Sequence, residues 1–156
     1  MLKMKNLIMA FLIIFGLSLI GLMIYTARVD DSLKLESKRY VDETLPHILH
    51  SLNKDIFLKY AAPEFIRAVP EEKVEKIFNV YKKLGKYEKY IGSKGKVKTS
   101  FSFKKGKLVY AKYTAKAKFS NGDAIIKLTI IKHGDSWFIY AFKIDSKVFN
   151  NMKKKE

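Results

Sequence analysis

The stretch that decides the fold is LVYAKYTAKAKFSNGDAIIKLTIIKHGDSWFIYAFKI, residues 108–144. Apolar and polar residues alternate along it with a period of two, the spacing at which side chains of a β-strand share one face. Asn121-Gly122 and Gly134-Asp135 interrupt the alternation where tight hairpin turns are expected. The stretch therefore predicts three adjacent antiparallel strands, at 108–119, 124–133 and 137–144.

Two more strands are predicted upstream of this stretch. Residues 97–103 also alternate and precede a turn at Lys105-Gly106, and a shorter strand is expected near 87–91. The face that 97–103 presents stays open, because a three-residue loop before Lys107 would reverse its alternation. The expected sheet therefore has four to five strands.

One face of the predicted sheet is apolar throughout. If Asn121-Gly122 is a two-residue loop, Phe119 lies opposite Ala124, and this register defines the face. We expect it to pack against a helix that carries Val74, Ile77 and Tyr81, since its alanines leave room for a close approach. The predicted core residues are Tyr113, Ala115, Ala117, Phe119, Ile126, Leu128, Ile130, Trp137, Ile139 and Ala141.

The opposite face mixes lysines with aromatic residues. In the same register Lys116 lies opposite Lys127, a like-charge pair that is mildly destabilising unless an anion screens it. A twisted sheet that buries part of both faces would account for the aromatic residues, and so would an interaction surface, because apolar patches ringed by polar residues are typical of partner sites. The candidate partner-binding residues are Lys112, Lys116, Lys127, Phe138, Tyr140 and Phe142.

Helices are predicted before the sheet. Oxygens of Asp30, Asp31 and Ser32 can cap a helix whose apolar stripe is Val41, Leu45, Ile48, Leu49, Leu52 and Ile56. Pro46 is expected to kink or break this helix, because proline removes one backbone hydrogen bond. A short helical piece at 55–60 follows, and a further helix begins at Pro70 and ends at Gly85.

The N-terminal segment 6–27 contains no charged residue. As a helix it would measure roughly 33 Å, which matches a bilayer core of about 30 Å. Lys3 and Lys5 precede it, so the tail 1–5 is expected in the cytoplasm and the later residues outside it. The predicted organisation is a cytoplasmic tail, a single-pass anchor in the inner (cytoplasmic) membrane, a linker at 28–31, an exported domain at 32–149 on the periplasmic or extracytoplasmic side, and a basic tail at 150–156.

A cleaved signal peptide is the competing interpretation of that segment. Signal peptides usually have apolar regions of about 7–15 residues, which is shorter than 6–27, and Tyr25-Thr26-Ala27 places a bulky tyrosine at the nearest small-residue site. These details favour an anchor that is retained.

Charge and cysteine content limit the partners. Residues 89–156 hold 17 lysines against four acidic residues, a net charge of +13 within the +16 of the chain. For a domain outside the cytoplasm, we expect no nucleic acid partner; the anchor would contact membrane lipid, and the domain a membrane or periplasmic protein or a second copy of the chain. The chain contains no cysteine, so disulfides, thiol catalysis and cysteine-ligated metals are excluded.

The order of elements, helices followed by an antiparallel meander, resembles small exported domains of the cystatin-like and NTF2-like group. The resemblance is carried by Leu84-Gly85-Lys86, by the hairpin Phe119-Ser120-Asn121-Gly122 and by the strand start at 134–139. It implies an α+β fold in which helices pack on a curved, cone-shaped antiparallel sheet. Fold alone does not assign a function.

Catalytic and metal chemistry find little support in the residues. Enzymes of the group that the chain resembles place an Asp or His inside the cone, whereas Asp123 and Asp135 lie in predicted turns and Asp145 at a strand end. Glu43, His47 and His50 have metal-ligand spacing on a helix but face away from its apolar stripe. We therefore expect no catalytic residue, no metal and no cofactor.

The sequence thus predicts a non-enzymatic accessory, assembly or interaction subunit. The alternative is a small-ligand-binding or catalytic pocket inside the cone, lined by Tyr113, Phe119, Trp137 and Ile139. In that case the Tyr113 hydroxyl would orient a ligand, whereas in a closed core it would bond a backbone group.

Overall fold

The structure is a computed structural model that describes the backbone of residues 2–102 and 106–152 and the side chains of residues 13–23, 31–100 and 106–149. Helix α1 spans Leu2–Ser51, α2 Lys54–Leu58, α3 Pro63–Ala68 and α4 Glu71–Tyr81, which a short 3-10 helix at Lys82–Leu84 extends. The strands are β1 Tyr87–Ser102, β2 Gly106–Phe119, β3 Gly122–His133 and β4 Ser136–Asp145, and helix α5 spans Lys147–Met152.

Helix α1 supplies the main apolar stripe of the core. Val41, Leu45, Ile48 and Leu49 are fully buried and Leu52 is nearly so, which confirms the predicted stripe except for Ile56, a half-buried residue of α2. Of the kink or break expected at Pro46, the break does not occur, since α1 continues through this residue. The helix ends instead at Ser51, and the next residue, Leu52, adopts a positive φ of 42°. Asp30–Ser32 do not begin a helix, because α1 is already continuous there.

The helices after α1 are short and locally determined. The Asn53 side chain accepts hydrogen bonds from the backbone N–H groups of Asp55 and Ile56 and so caps α2. Helix α4 follows Pro70 as predicted and buries Val74, Phe78 and Tyr81. Ile77 is 39% exposed, so the prediction that it faces the core is wrong.

The sheet is an antiparallel meander in the order β1-β2-β3-β4. Strand β1 joins the two predicted upstream strands into one of 16 residues. Within the part of β1 predicted at 97–103, Val97 pairs with the buried Ala111, which places Val97 on the core side of the sheet. Phe103 and Lys105 lie outside the described residues.

The β2–β3 loop lies one residue closer to the N-terminus than predicted, at Ser120-Asn121 instead of Asn121-Gly122. Phe119 pairs with Gly122 rather than with Ala124, so the loop is Ser120-Asn121. Backbone hydrogen bonds hold this loop in place: the Asn121 N–H donates to the Leu84 carbonyl at 3.0 Å and the Ser120 N–H to the Lys86 carbonyl at 2.9 Å. The whole register therefore moves by two residues.

This shift leaves the predicted faces unchanged but alters the neighbours. Because side chains alternate with a period of two, a shift of two residues keeps each side chain on its face. Lys116 now lies opposite Ile125, and Lys127 opposite Thr114, so the predicted Lys116–Lys127 pair is wrong.

The predicted core face is buried at nine of its ten positions. Tyr113, Ala115, Ala117, Phe119, Ile126, Leu128, Ile130, Trp137 and Ile139 are each at most 5% exposed. The tenth, Ala141, is exposed, and its assignment to the core is wrong. The cause is a bulge in β4: Ile139 pairs with Ile130 but Ala141 with Thr129, which leaves Tyr140 as an additional residue.

The same bulge moves Phe142 to the core side of β4. Phe142 pairs with the buried Leu128, and its ring lies 5.2 Å from that of Phe57 and 6.2 Å from those of Phe78 and Tyr81. The prediction that Phe142 shares the outer face with Phe138 and Tyr140 is therefore wrong. Aromatic packing with α2 and α4 is what holds it inside.

A glycine in β1 leaves room for the ring of Tyr113 on the neighbouring strand. Gly95 of β1 pairs with Tyr113 of β2, and a Cβ at Gly95 would collide with the Tyr113 ring and the Lys112 carbonyl oxygen. The Tyr113 hydroxyl in turn lies 2.8 Å from Ser37 Oγ of α1. The buried tyrosine thus bonds a side chain of α1.

The predicted membrane-spanning segment 6–27 lies within α1, and the side chains of 2–12 and 24–30 are outside the described residues. In the described part of the chain, no helix is both long and apolar enough to span a bilayer. The side chains of the predicted tails, 1–5 and 150–156, also fall outside the described residues.

Two compact units make up the chain, residues 1–35 and residues 36–156. The first consists of the N-terminal part of α1. The second contains the C-terminal part of α1 and all other elements, which together form an α+β domain with helices on one face of a four-stranded antiparallel sheet.

Candidate functional site: the lysine face of the sheet

The outer face of the sheet is the one to which the exposed side chains of β2 point, alternating with the buried ones. On β2 the outward residues are Lys112, Thr114, Lys116 and Lys118, all exposed. Their partners on β1 share this face because directly opposite residues point to the same side. Lys96 thus lies opposite Lys112, Lys94 opposite Thr114, and Lys98 opposite Tyr110.

Only part of this positive charge is neutralised. On β3 and β4, Lys127 lies opposite Lys143, and both pair with the Asp145 carboxylate, at 3.0 and 2.7 Å. Hydrogen bonds from Lys143 and Lys127 hold the pKa of Asp145 below its ordinary 3.8.

On β1 and β2, by contrast, none of the exposed lysines forms an ion pair with a described residue. Five of them lie on the outer face around the Lys96–Lys112 pair, and we call these five the lysine cluster: Lys94, Lys96, Lys98, Lys112 and Lys116.

The lysine cluster has a regular geometry. Alternate residues of a strand are about 7 Å apart and neighbouring strands about 4.8 Å apart, so the ammonium groups project from a two-dimensional grid. Like charges directly opposite each other, as at Lys96 and Lys112, are destabilising. An anion that binds between them relieves that repulsion, and a row of anions relieves it along the whole cluster.

Apolar and aromatic residues border the lysine cluster at one end of the sheet. Ile131 is the outward neighbour of Tyr110 and of Phe138, and it is only 6% exposed. Tyr110 and Phe138 are half-buried, whereas Tyr140 at the bulge is 48% exposed. The burial of Ile131 agrees with a sheet that buries part of both faces, whereas an interaction surface at the aromatic residues stays a prediction.

A polar network fixes β1, the strand that carries three members of the lysine cluster. The Asp42 carboxylate of α1 accepts hydrogen bonds from Tyr90 Oη and Ser93 Oγ, each at 2.6 Å, and from Lys38 Nζ. Burial opposes the ionisation of Asp42, but these hydrogen bonds outweigh burial and hold its pKa below the ordinary 3.8. Burial and the neighbouring carboxylate raise the pKa of Tyr90.

Sequence reasoning found part of this site. Lys112, Lys116 and Lys127 lie exposed on the outer face as predicted. Phe138 lies half-buried on the same face, whereas Phe142 lies on the core side. The prediction from the sequence did not include Lys94, Lys96 and Lys98. Their alternation along 94–98 was a usable signal, but the face stayed undetermined because the length of the loop before Lys107 was open.

The residues of the predicted pocket do not converge on one cavity. Tyr113, Phe119 and Ile139 are buried in the packed core. Of the four predicted residues, Trp137 alone lines a cleft of about 420 Å³. The other residues that line this cleft are Glu36, Arg39, Tyr40, Glu43, Lys59, Tyr60, Asp135, Ser136 and Phe138. In this cleft burial raises the pKa of Tyr40 to about 12, and the buried Trp137 Nε1 has no hydrogen-bond partner among the described residues.

Acidic and histidine side chains considered for metal binding are spread over the surface. Glu43, His47 and His50 are exposed on α1, and no three metal-type side chains come together in the described part of the chain. His133 lies 3.1 Å from Glu64, a two-residue contact.

Comparisons with protein-family models, with curated proteins and with solved structures find no match to this chain. Any function must therefore be argued from the chemistry of the surfaces themselves.

The Asp42 network gives a prediction about pH. Tyr90→Phe should lower the free energy of unfolding by about 1.5 kcal/mol at neutral pH, the low end for a hydrogen bond to a charged group, because Lys38 and Ser93 still stabilise the carboxylate. Stability that depends on ionised Asp42 is complete above its ordinary pKa and is lost as the pH falls through the lower pKa of the folded chain. The difference between the two proteins should therefore shrink as the pH drops below 3.8.

Urea unfolding of the full chain in detergent, followed by circular dichroism across this pH range, measures the difference. Tyr110→Phe is the matched control, since the Tyr110 hydroxyl makes no hydrogen bond with a described residue, and it should show no such pH dependence. An equal loss for Tyr90→Phe at every pH would contradict the role given to Asp42.

Proposed function

We propose that the chain is a single-pass membrane protein whose exported α+β domain is a non-enzymatic interaction subunit that binds an acidic protein partner through the lysine cluster. The observation that carries the proposal is the set of five exposed lysines, two of them directly opposite each other, without a neutralising acid among the described residues. A partner that supplies carboxylates would convert this repulsion into attraction.

The side chains of residues 13–23 support the membrane part of the proposal. The exposed large apolar residues there include Ile13, Ile14, Leu17, Leu19, Ile20 and Leu22, each between 52% and 67% exposed. At 100° per residue these positions cover the full circumference of the helix rather than one stripe. A helix that is apolar all round suits lipid better than water, and Lys3 and Lys5 favour a cytoplasmic N-terminus.

The fold supports an accessory role rather than a reaction. Helices on one face of an antiparallel meander are compatible with the cystatin-like and NTF2-like group, in which we place the domain as part of this proposal. The lysine cluster includes no nucleophile, no general base and no converging polar pocket, whereas a flat cationic face is suited to recognition.

Charge favours a different protein as the partner over a second copy of the chain. Two identical lysine faces brought together would repel, and juxtaposed like charges suppress wrong partners at an interface. An extracytoplasmic position would also keep the cationic face away from nucleic acid.

The membrane orientation predicts the behaviour of reporters fused after Glu156. Alkaline phosphatase, which is active only outside the cytoplasm, should be active there, because Lys3 and Lys5 hold the N-terminus inside. A fluorescent protein that folds only in the cytoplasm, fused at the same position, should be dark and serves as the reciprocal control. A bright fluorescent fusion with inactive phosphatase would reverse the proposed orientation.

The docking surface predicts an effect of reversing its charge. In the full chain in detergent, Lys96→Glu combined with Lys112→Glu should weaken the binding of fluorescent poly-L-glutamate at least about tenfold at low salt, as expected when a rim of complementary charge is inverted. Fluorescence anisotropy measures the affinity, and the tenfold difference should narrow as salt is added.

The matched control changes net charge equally at another place. Lys73→Glu with Lys83→Glu alters two exposed lysines on the helical side that form no ion pair with described residues. Near 0.1 M salt, where the Debye length is about 10 Å, this variant should keep an affinity within about twofold of the parent, since charges far from the site are screened. Equal losses in both variants would show that only net charge matters and would refute the assignment to the lysine cluster.

A further inference from the structure

The two edges of the sheet differ in how their backbone groups are used. At the β4 edge the Ile139 N–H donates to the Tyr60 carbonyl at 2.7 Å, and the Ile139 carbonyl accepts from the Ala62 N–H at 2.8 Å. Residues 60–62 thus cover the middle of that edge. Strand β1 forms the other edge, and in the described part of the chain no strand pairs with its outer side.

The open edge is long and polar. Strand β1 has 16 residues, and its positions Lys96, Lys98, Thr99 and Ser100 are exposed. An edge of this kind presents a row of free backbone N–H and C=O groups that can pair with another extended chain. The Asp42 network ties the strand to α1 at Tyr90 and Ser93, just before this row.

The lysines of β1 restrict which chain can pair there. Lys94, Lys96 and Lys98 project from the same face at alternate positions. An added strand would place its own side chains on that face about 4.5–5.5 Å from them, the spacing at which opposite charges stabilise a cross-strand pair. Three acidic residues at alternate positions match this row of charge.

The same lysines disfavour a second copy of this chain. If two β1 edges met antiparallel about Lys96, Lys96 would face its counterpart and Lys94 would face Lys98. Each of these is a like-charge pair, and lysines on edge strands are a common device against such self-association. Pairing with the β1 edge of a second copy is therefore disfavoured, while the backbone groups of the edge can still bond a different chain.

We propose that the β1 edge binds an extended acidic segment of the partner protein, which adds to the sheet as a fifth strand. This inference rests on the proposed function and specifies how the acidic partner is held. Backbone hydrogen bonds to β1 would provide the geometry, and acidic side chains facing Lys94, Lys96 and Lys98 would provide the selectivity.

N-methylated peptides distinguish strand addition from simple charge attraction. The probe is the peptide acetyl-Thr-Glu-Val-Glu-Val-Glu-Thr-amide, tested against the full chain in detergent at low salt. In an added strand, alternate N–H groups point toward β1 and the others point away from it. One peptide carries N-methyl groups on its glutamates and a second carries them on its valines, so that all three peptides have the same charge.

Strand addition predicts opposite behaviour of the two methylated peptides. The peptide whose methyl groups point toward β1 should lose at least about tenfold in affinity, equivalent to about 1.4 kcal/mol, while the other methylated peptide stays within about threefold of the unmodified one. Lys96→Thr with Lys98→Thr should weaken the unmodified peptide, and Lys73→Thr with Lys83→Thr should not. Hydrogen exchange should slow at alternate amides of β1 when the unmodified peptide is bound.

Two results would overturn the fifth strand, with different consequences for the proposed function. If both methylated peptides and poly-L-glutamate bind as well as the unmodified peptide, the contact is electrostatic, and the lysine cluster keeps its role without strand addition. If neither the peptide nor poly-L-glutamate binds, the lysines only protect the edge, and the proposed function fails with the inference.

Discussion

Burial of the inner face of the meander by the helices is the constraint on which the other features depend. Because strand side chains alternate, burying Tyr113, Ala115 and Ala117 turns Lys112 and Lys116 outward. The apolar stripe of α1 provides the cover, and contacts such as Ser37–Tyr113 and Asp42–Tyr90 hold α1 to two adjacent strands. The cationic face is thus a direct geometric result of the same pattern that builds the core.

The part of the fold that could be predicted from the sequence is the part that the period-two alternation determines. This alternation identified the faces of β2 and β3 correctly even though the turn was misplaced, because an error of two residues preserves the alternation. It failed at Ala141 and Phe142, where one additional residue exchanges the faces and no local sequence signal marks the bulge. The bulges near the N-terminus of β1 could not be predicted for the same reason. The helix does not break at Pro46, because the packing of Leu45, Ile48 and Leu49 outweighs one lost backbone hydrogen bond.

Under the proposed function, the lysine cluster would lower stability in exchange for recognition. Lysines placed opposite one another weaken a sheet, and threonine would serve a strand better at an exposed position. The Asp145 carboxylate forms ion pairs with both lysines on β3 and β4, whereas Lys96 and Lys112 have no such acid among the described residues. Positions that lower stability without a structural benefit commonly serve function. In this protein the open β1 edge lies beside these lysines, so positive charge and free backbone groups occur on the same strand.

The most direct test of this account is the coupling energy between Lys96 and Lys112. A double-mutant cycle of Lys96→Thr and Lys112→Thr, measured by urea unfolding of the full chain in detergent, isolates their interaction. The account predicts an unfavourable coupling of about 0.2–1 kcal/mol at low salt, which falls toward zero when poly-L-glutamate is added. A coupling of zero or a favourable one in the absence of the polymer would show that the two lysines do not repel, and it would contradict the claim that this face awaits an acidic partner.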